Sequence, residues 1–133
     1  MKMSYSQEKV PGVADTIIAM EKAALEKWNH GDPSGYLDIS AKDVTYFDPF
    51  LESRLDGLDK LQKYYEPMKG QVQVTRYEML HPQVTATSEM AVLTFDLTSY
   101  EGEKVHKWHC SEVYRLEADK HWKIVQTHWS PRK

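Results

Sequence analysis

The sequence predicts an α+β fold: a cone-shaped, curved antiparallel sheet with three N-terminal helices enclosing a pocket. Helical periodicity is confined to the first half of the chain, up to Met68. Everything after Gly70 reads as strands separated by short turns. Helices first and a meander last argue for α+β, not for a parallel α/β sheet. The longest strand runs, such as Lys104 to Leu116, exceed the usual strand length, and long antiparallel strands bend. Helices on the concave side of such a sheet close a cone.

The elements follow in order. From Asp15 to Asn29 the apolar residues Ile17, Ile18, Met20, Ala24, Leu25 and Trp28 recur at helical spacing, with Glu21, Lys22, Glu26 and Lys27 largely on the other side. Pro11 and Gly12 precede this helix and Gly31 ends it. Asp32-Pro33 reads as an N-cap and first-turn proline, opening a short helix through Ile39. Val44 to Phe47 is a short strand, stopped by Asp48-Pro49. After the Asp56-Gly57 turn, Leu58, Leu61, Tyr64, Tyr65 and Met68 mark a third helix, which Gly70 stops. Four strands remain: Val72 to Leu80 (or on to Thr87), Met90 to Tyr100, Lys104 to Leu116 and Trp122 to Trp129. Hairpin-like turns at Thr87-Ser88-Glu89, Glu101-Gly102-Glu103 and Ala118-Asp119-Lys120 divide them. Residues 1–12 are expected to be a flexible N-terminal segment and 13–133 one domain.

Composition narrows the function. At 133 residues the chain suits one domain with a single core. The net charge of −3 and the scattered Lys and Arg argue against a nucleic-acid partner, which calls for a basic stripe. No stretch approaches the apolar length of a membrane span. Cys110 is the only cysteine, so no internal disulfide can form. The polar N-terminus lacks the apolar centre of a signal peptide, and the expected compartment is the cytoplasm. The histidines show neither H-x-H nor H-x-x-x-H spacing, and His106 and His109 point to opposite faces of a strand. Neither a metal nor another cofactor is expected.

Several strings carry a family resemblance over nearly the whole chain. Trp28-Asn29-His30-Gly31-Asp32, Asp43 to Pro49, Gly57 to Leu61 and Trp122 to Ser130 fall in the order and spacing of the nuclear transport factor 2-like superfamily, which they resemble. The last string is similar to the closing strand of polyketide cyclase-like members and of the calmodulin-dependent kinase II association domain. Because this fold hosts isomerases, cyclases, dehydratases and oligomerisation hubs, the resemblance implies a fold more firmly than an activity.

The sharpest resemblance is to ketosteroid isomerase. Asp48, before Pro49, matches that enzyme's proton-transferring carboxylate; Asp-Pro is also an ordinary turn opener. Glu112 matches its protonated oxyanion donor, a case in which an apolar site keeps an acid neutral. By period two Glu112 shares a face with His106, Trp108, Cys110, Tyr114 and Leu116, which predicts desolvation and a raised pKa. The enzyme's oxyanion tyrosine on the first helix falls at Ala24, so that donor is missing. The third-from-last element, Met90 to Tyr100, allows two phases. In one, Val92, Thr94, Asp96 and Thr98 face the pocket, bringing Asp48, Asp96 and Glu112 together and favouring a small polar or cationic ligand over a steroid. In the other, Ala91, Leu93, Phe95 and Leu97 face inward. Trp28, Tyr46, Tyr64, Tyr65, Trp108, Tyr114 and Trp129 are the expected aromatic walls. Two readings result. One is a small-molecule isomerase or cyclase with Asp48 as general base and Glu112 as acid or hydrogen-bond donor. The other is a non-catalytic ligand-binding or oligomerisation domain. A homodimer is implied by the resemblance in either case.

Overall fold

The computed structural model describes residues 12–133, so the expected flexible segment lies, apart from Gly12, outside the described residues. Helix α1 (Val13–Asn29) buries Ile17, Ala24 and Leu25 as its periodicity requires. Glu21 is buried on the same face, where the sequence reading had put it on the solvent side. Positions 17, 21, 24, 25 and 28 form one helical stripe, and Glu21 stands in its middle.

The helix closes with two crossed bonds: the Gly31 N–H donates to the Trp28 carbonyl at 2.9 Å and the Asp32 N–H to that of Lys27 at 2.9 Å. This closure needs a left-handed residue, and Gly31 has φ +84°. A side chain there would also collide with Gly70, whose Cα would lie 2.9 Å from the added Cβ. The Gly70 N–H donates to the Gly31 carbonyl at 2.8 Å, tying the chain after the third helix to the end of the first. Asp32 Oδ1 accepts the Ser34 N–H at 2.9 Å and opens helix α2 (Ser34–Asp38), which buries Tyr36.

Strand β1 (Ser40–Phe47) and the two-residue β2 (Leu55–Asp56) lead into α3 (Leu58–Tyr65). A 3-10 turn, Glu66–Met68, replaces the expected last turn of that helix. Pro67 is the cause, because it has no N–H to continue the α ladder. Strands β3 (Arg76–Ala86), β4 (Met90–Glu101), β5 (Lys104–Leu116) and β6 (Trp122–Pro131) complete the sheet. Its order is β2-β1-β6-β5-β4-β3. The meander is antiparallel throughout, but β1 pairs with β6 in parallel, which an all-antiparallel expectation misses. β3 begins at Arg76 and not Val72, because the preceding backbone bonds elsewhere: the Val74 N–H donates to the Asn29 carbonyl at 3.0 Å.

The sheet bends where its register breaks, at Leu80/Gln83 in β3 and at Val113/Tyr114 in β5. The first break holds His81 at φ +51° and Pro82, which the edge strand tolerates because an outward N–H is not needed there. Register also settles the phase of β4. Leu97 pairs with Trp108, Phe95 with Cys110 and Leu93 with Glu112, so the second of the two phases is the one adopted. Leu93, Phe95, Leu97 and Cys110, with Ile17, Leu25, Val44, Leu61, Tyr114 and Ile124, form the core between the helices and the concave face.

Candidate functional site

The concave face does not fill completely. Towards the open end of the cone it leaves a cavity of about 370 Å³. Helix α1 contributes Trp28 and β1 contributes Tyr46, while Asp48 stands just past the end of β1. β5 and β6 contribute Trp108 and Trp129, and Tyr65 comes from α3. The rings meet at steep angles: Trp28 and Tyr65 have centroids 4.9 Å apart at 61°, and Trp108 and Trp129 6.3 Å apart at 80°. Phe50, 76% exposed in the loop after β1, stands over Trp108 at 6.3 Å and 70°. The stretch after α3, including Gln71 and Val74, forms part of the mouth.

Asp48 has two jobs. Its Oδ1 accepts the Phe50 N–H at 2.9 Å, the local turn that an Asp-Pro pair is built to make. Its Oδ2 accepts the hydroxyl protons of Tyr64 at 2.6 Å and Tyr46 at 2.9 Å. Three donors therefore fix the carboxylate in one orientation at the cavity wall. Burial, together with the carboxylate they face, raises the pKa of both tyrosines, so their hydroxyls stay protonated at any ordinary pH.

Glu112 occupies a different setting. It is completely buried and is absent from the cavity lining, with Tyr114 Oη 3.5 Å from its Oε1. Its neighbour is Glu21, also fully buried. Tyr36 donates to Glu21 Oε2 at 2.6 Å and Tyr114 to Glu21 Oε1 at 2.7 Å. Thr127 reaches Glu112 Oε2 at 3.4 Å. Burial first, and the Glu21 charge second, push the Glu112 carboxyl well above the usual carboxylate range. Glu112 therefore holds its proton far more tightly than an exposed glutamate does. Glu21, Glu112 and Cys110 also place one ligand atom each within 4.8 Å of one another. Both Glu21 oxygens already accept tyrosine protons, which suits a proton-sharing acid pair better than a metal centre.

The structure thus separates residues that the sequence reading grouped. Asp48, Trp28, Tyr46, Tyr65, Trp108 and Trp129 come together around the cavity. Tyr64 touches it only through Asp48, and Tyr114 lies beneath it with Glu112. Asp96 does not join Asp48 and Glu112: it lies on the outer face, where its Oδ1 is 2.6 Å from His109 Nδ1. Period two dictates this once Leu97 and Phe95 face inward. Sequence reasoning missed Glu21, Tyr36, Phe50 and Glu101. For Glu21 and Tyr36 a signal existed, in the centre of the helical stripe and in the lone aromatic of α2. For Phe50 and Glu101, at a loop and a strand end, none did.

The outer face carries a shallower hollow of about 340 Å³, lined by His81, Asp96, His109, Ser111 and His128 among others. Val92 and Val105 are 40% and 50% exposed on the outward-facing positions of β4 and β5. Among the described residues no helix is long and apolar enough to cross a membrane.

Comparisons with known proteins agree with this architecture. The profile of the calcium/calmodulin dependent protein kinase II association domain matches residues 14–133. Among solved structures, a candidate ketosteroid isomerase from Parabacteroides distasonis ATCC 8503 superimposes with a TM-score of 0.83 at 43% identity, over 92% of this chain and 89% of that one. The S. rosetta calcium/calmodulin dependent kinase II hub gives 0.73 at 19% identity, over 92% and 100%. A nuclear transport factor 2-like protein of unknown function from Pseudomonas putida KT2440 gives 0.78 at 17%, over 88% and 84%. No curated protein matches the chain.

Proposed function

This chain belongs to the calcium/calmodulin dependent protein kinase II association domain family, with a nuclear transport factor 2-like fold, and from that premise we propose that it is a small-molecule-binding domain whose ligand site is the aromatic cavity beside Asp48. The observation that carries this reading is an unfilled cavity of about 370 Å³ with a fixed carboxylate in its wall. Ligand pockets combine apolar walls with a few oriented polar groups, as this cavity does. Asp48 is the polar group in contact with the ligand. Glu112, fully buried and outside the lining, holds the floor and does not touch it. An isomerase needs base and oxyanion donor on the same substrate, so ligand binding without turnover fits this geometry better than acid–base catalysis by the pair.

The test is a tryptophan-fluorescence titration with small phenols, enones and amines, since Trp28, Trp108 and Trp129 all border the cavity. Saturable binding that Asp48→Asn weakens is expected. No binding by any member of the panel would remove the reading.

Self-association is the second part of the proposal. The hub among its structural neighbours, and the exposed Val92 and Val105 on the outer sheet face, favour a homodimer joined through that face. Light scattering on the eluting protein should give twice the chain mass, and a monomer at high concentration would contradict it. The proposed setting is the cytoplasm, where Cys110 stays a buried thiol.

A further inference from the structure

We propose that the cavity selects a small organic cation, an ammonium carried on a compact apolar body. The inference rests on the reading of the cavity as a ligand site and adds the chemistry of what it takes. Two carboxylates border the space, Asp48 and Glu101, and among the described lining residues there is no lysine or arginine. A negatively charged ligand would meet no compensating cation there. The remaining titratable side chain that could carry positive charge is His106, whose Nε2 is 3.2 Å from Glu101 Oε1 and thus already paired with it.

The hydroxyls point the same way. Tyr46 and Tyr64 both spend their protons on Asp48, so their oxygens can offer only lone pairs to anything else. The side of the cavity around Asp48 is therefore rich in acceptors. Opposite charge has the rest of its shell supplied by rings. Trp28 and Tyr65 stand at 61°, Trp108 and Trp129 at 80°, and Phe50 and Trp108 at 70°. Rings set this way form the sides of a box and not a stack, and the negative faces of aromatic rings attract a cation, tryptophan most strongly. A box of about 370 Å³ with a carboxylate in one wall matches a compact ammonium in both size and sign. A neutral steroid would leave Asp48 without a partner of opposite charge, and an anion would be repelled by it.

The test compares three solutes of nearly one shape and three charges: choline, its neutral isostere 3,3-dimethylbutan-1-ol, and the anion 3,3-dimethylbutanoate. Calorimetric titration into the intact protein is expected to show choline bound at least about tenfold more tightly than the alcohol, with the anion weakest. Trp108→Leu and Asp48→Asn should each bring choline close to the alcohol, and Glu101→Gln, at a half-buried position, should do so in part if either of those variants fails to fold. The alcohol or the anion binding as tightly as choline would overturn the cation assignment while leaving the cavity a ligand site. Failure of all three would also overturn it. The wider reading would fall only if the phenols and enones failed as well.

Discussion

Asp48 and Glu112 are both carboxyl groups on the concave side of one sheet, yet their surroundings differ in every respect that matters. Asp48 sits at a strand end, in contact with an open cavity, and accepts three hydrogen bonds, from the Tyr46 and Tyr64 hydroxyls and the Phe50 amide. Glu112 sits in mid-strand, fully buried, facing a second buried acid. The donors around Asp48 fix its orientation, whereas a dry site beside another carboxylate pushes the Glu112 carboxyl well above the usual carboxylate range. The first arrangement fixes a charge where a ligand can reach it. The second fixes a proton where no ligand arrives, and serves the fold.

The largest expected effect falls on the buried pair. Tyr114→Phe leaves Glu21 Oε1 without its donor inside the core, and should cost about 2–3 kcal/mol of stability in urea denaturation. A loss under about 0.5 kcal/mol would mean that the site is wet and the contrast with Asp48 false.

Next comes the pH dependence of that pair. The folded pKa of Glu112 is raised, so its contribution is fully present below the unfolded value, near 4.5, and is lost as pH climbs from there towards the folded value. Stability should thus decline above pH ~5, with a slope of at most about 1.4 kcal/mol per unit from this group. Glu112→Gln carries no proton to lose and should flatten that slope, leaving stability near neutral pH unchanged or higher. An unaltered slope in the variant would place the titration elsewhere.

Asp48→Asn should behave in the opposite way. Asparagine keeps an oxygen for the Phe50 amide, Tyr46 borders the cavity and Tyr64 is only half-buried, so water can replace the lost acceptor and the stability loss should stay below about 1 kcal/mol. Ligand affinity should drop all the same. The smallest effect belongs to Asp96→Asn on the outer face, expected to shift stability by no more than about 0.5 kcal/mol and to leave the cavity titration untouched. A change in ligand binding there would show that the two faces communicate.

The fold was legible because its signals are periodic and local. The stripes of α1 and α3, the Gly31 stop and the hairpin turns each state an element without reference to the rest. What the sequence could not state was pairing across distance. The parallel β1–β6 pair, and the bonds from Gly31 and Asn29 that hold residues 70–74 out of the sheet, depend on partners far along the chain. The site was legible in the same uneven way. Period two placed Glu112, Trp108 and Tyr114 on one face, and the Asp48-Pro49 pair marked the strand end. The phase of β4 stayed open until Leu97 was seen opposite Trp108, and that single choice moved Asp96 to the other side of the sheet. Glu21 was the avoidable miss: charge suggested solvent, while its position in the stripe indicated the core.

The account stands or falls on the division of labour between the two acids. Its most direct test is calorimetric titration of wild type, Asp48→Asn and Glu112→Gln with the panel member that binds best. The account predicts that Asp48→Asn weakens binding several-fold or more while Glu112→Gln, once shown to be folded, binds like wild type. Loss of binding in Glu112→Gln with Asp48→Asn unaffected would contradict it.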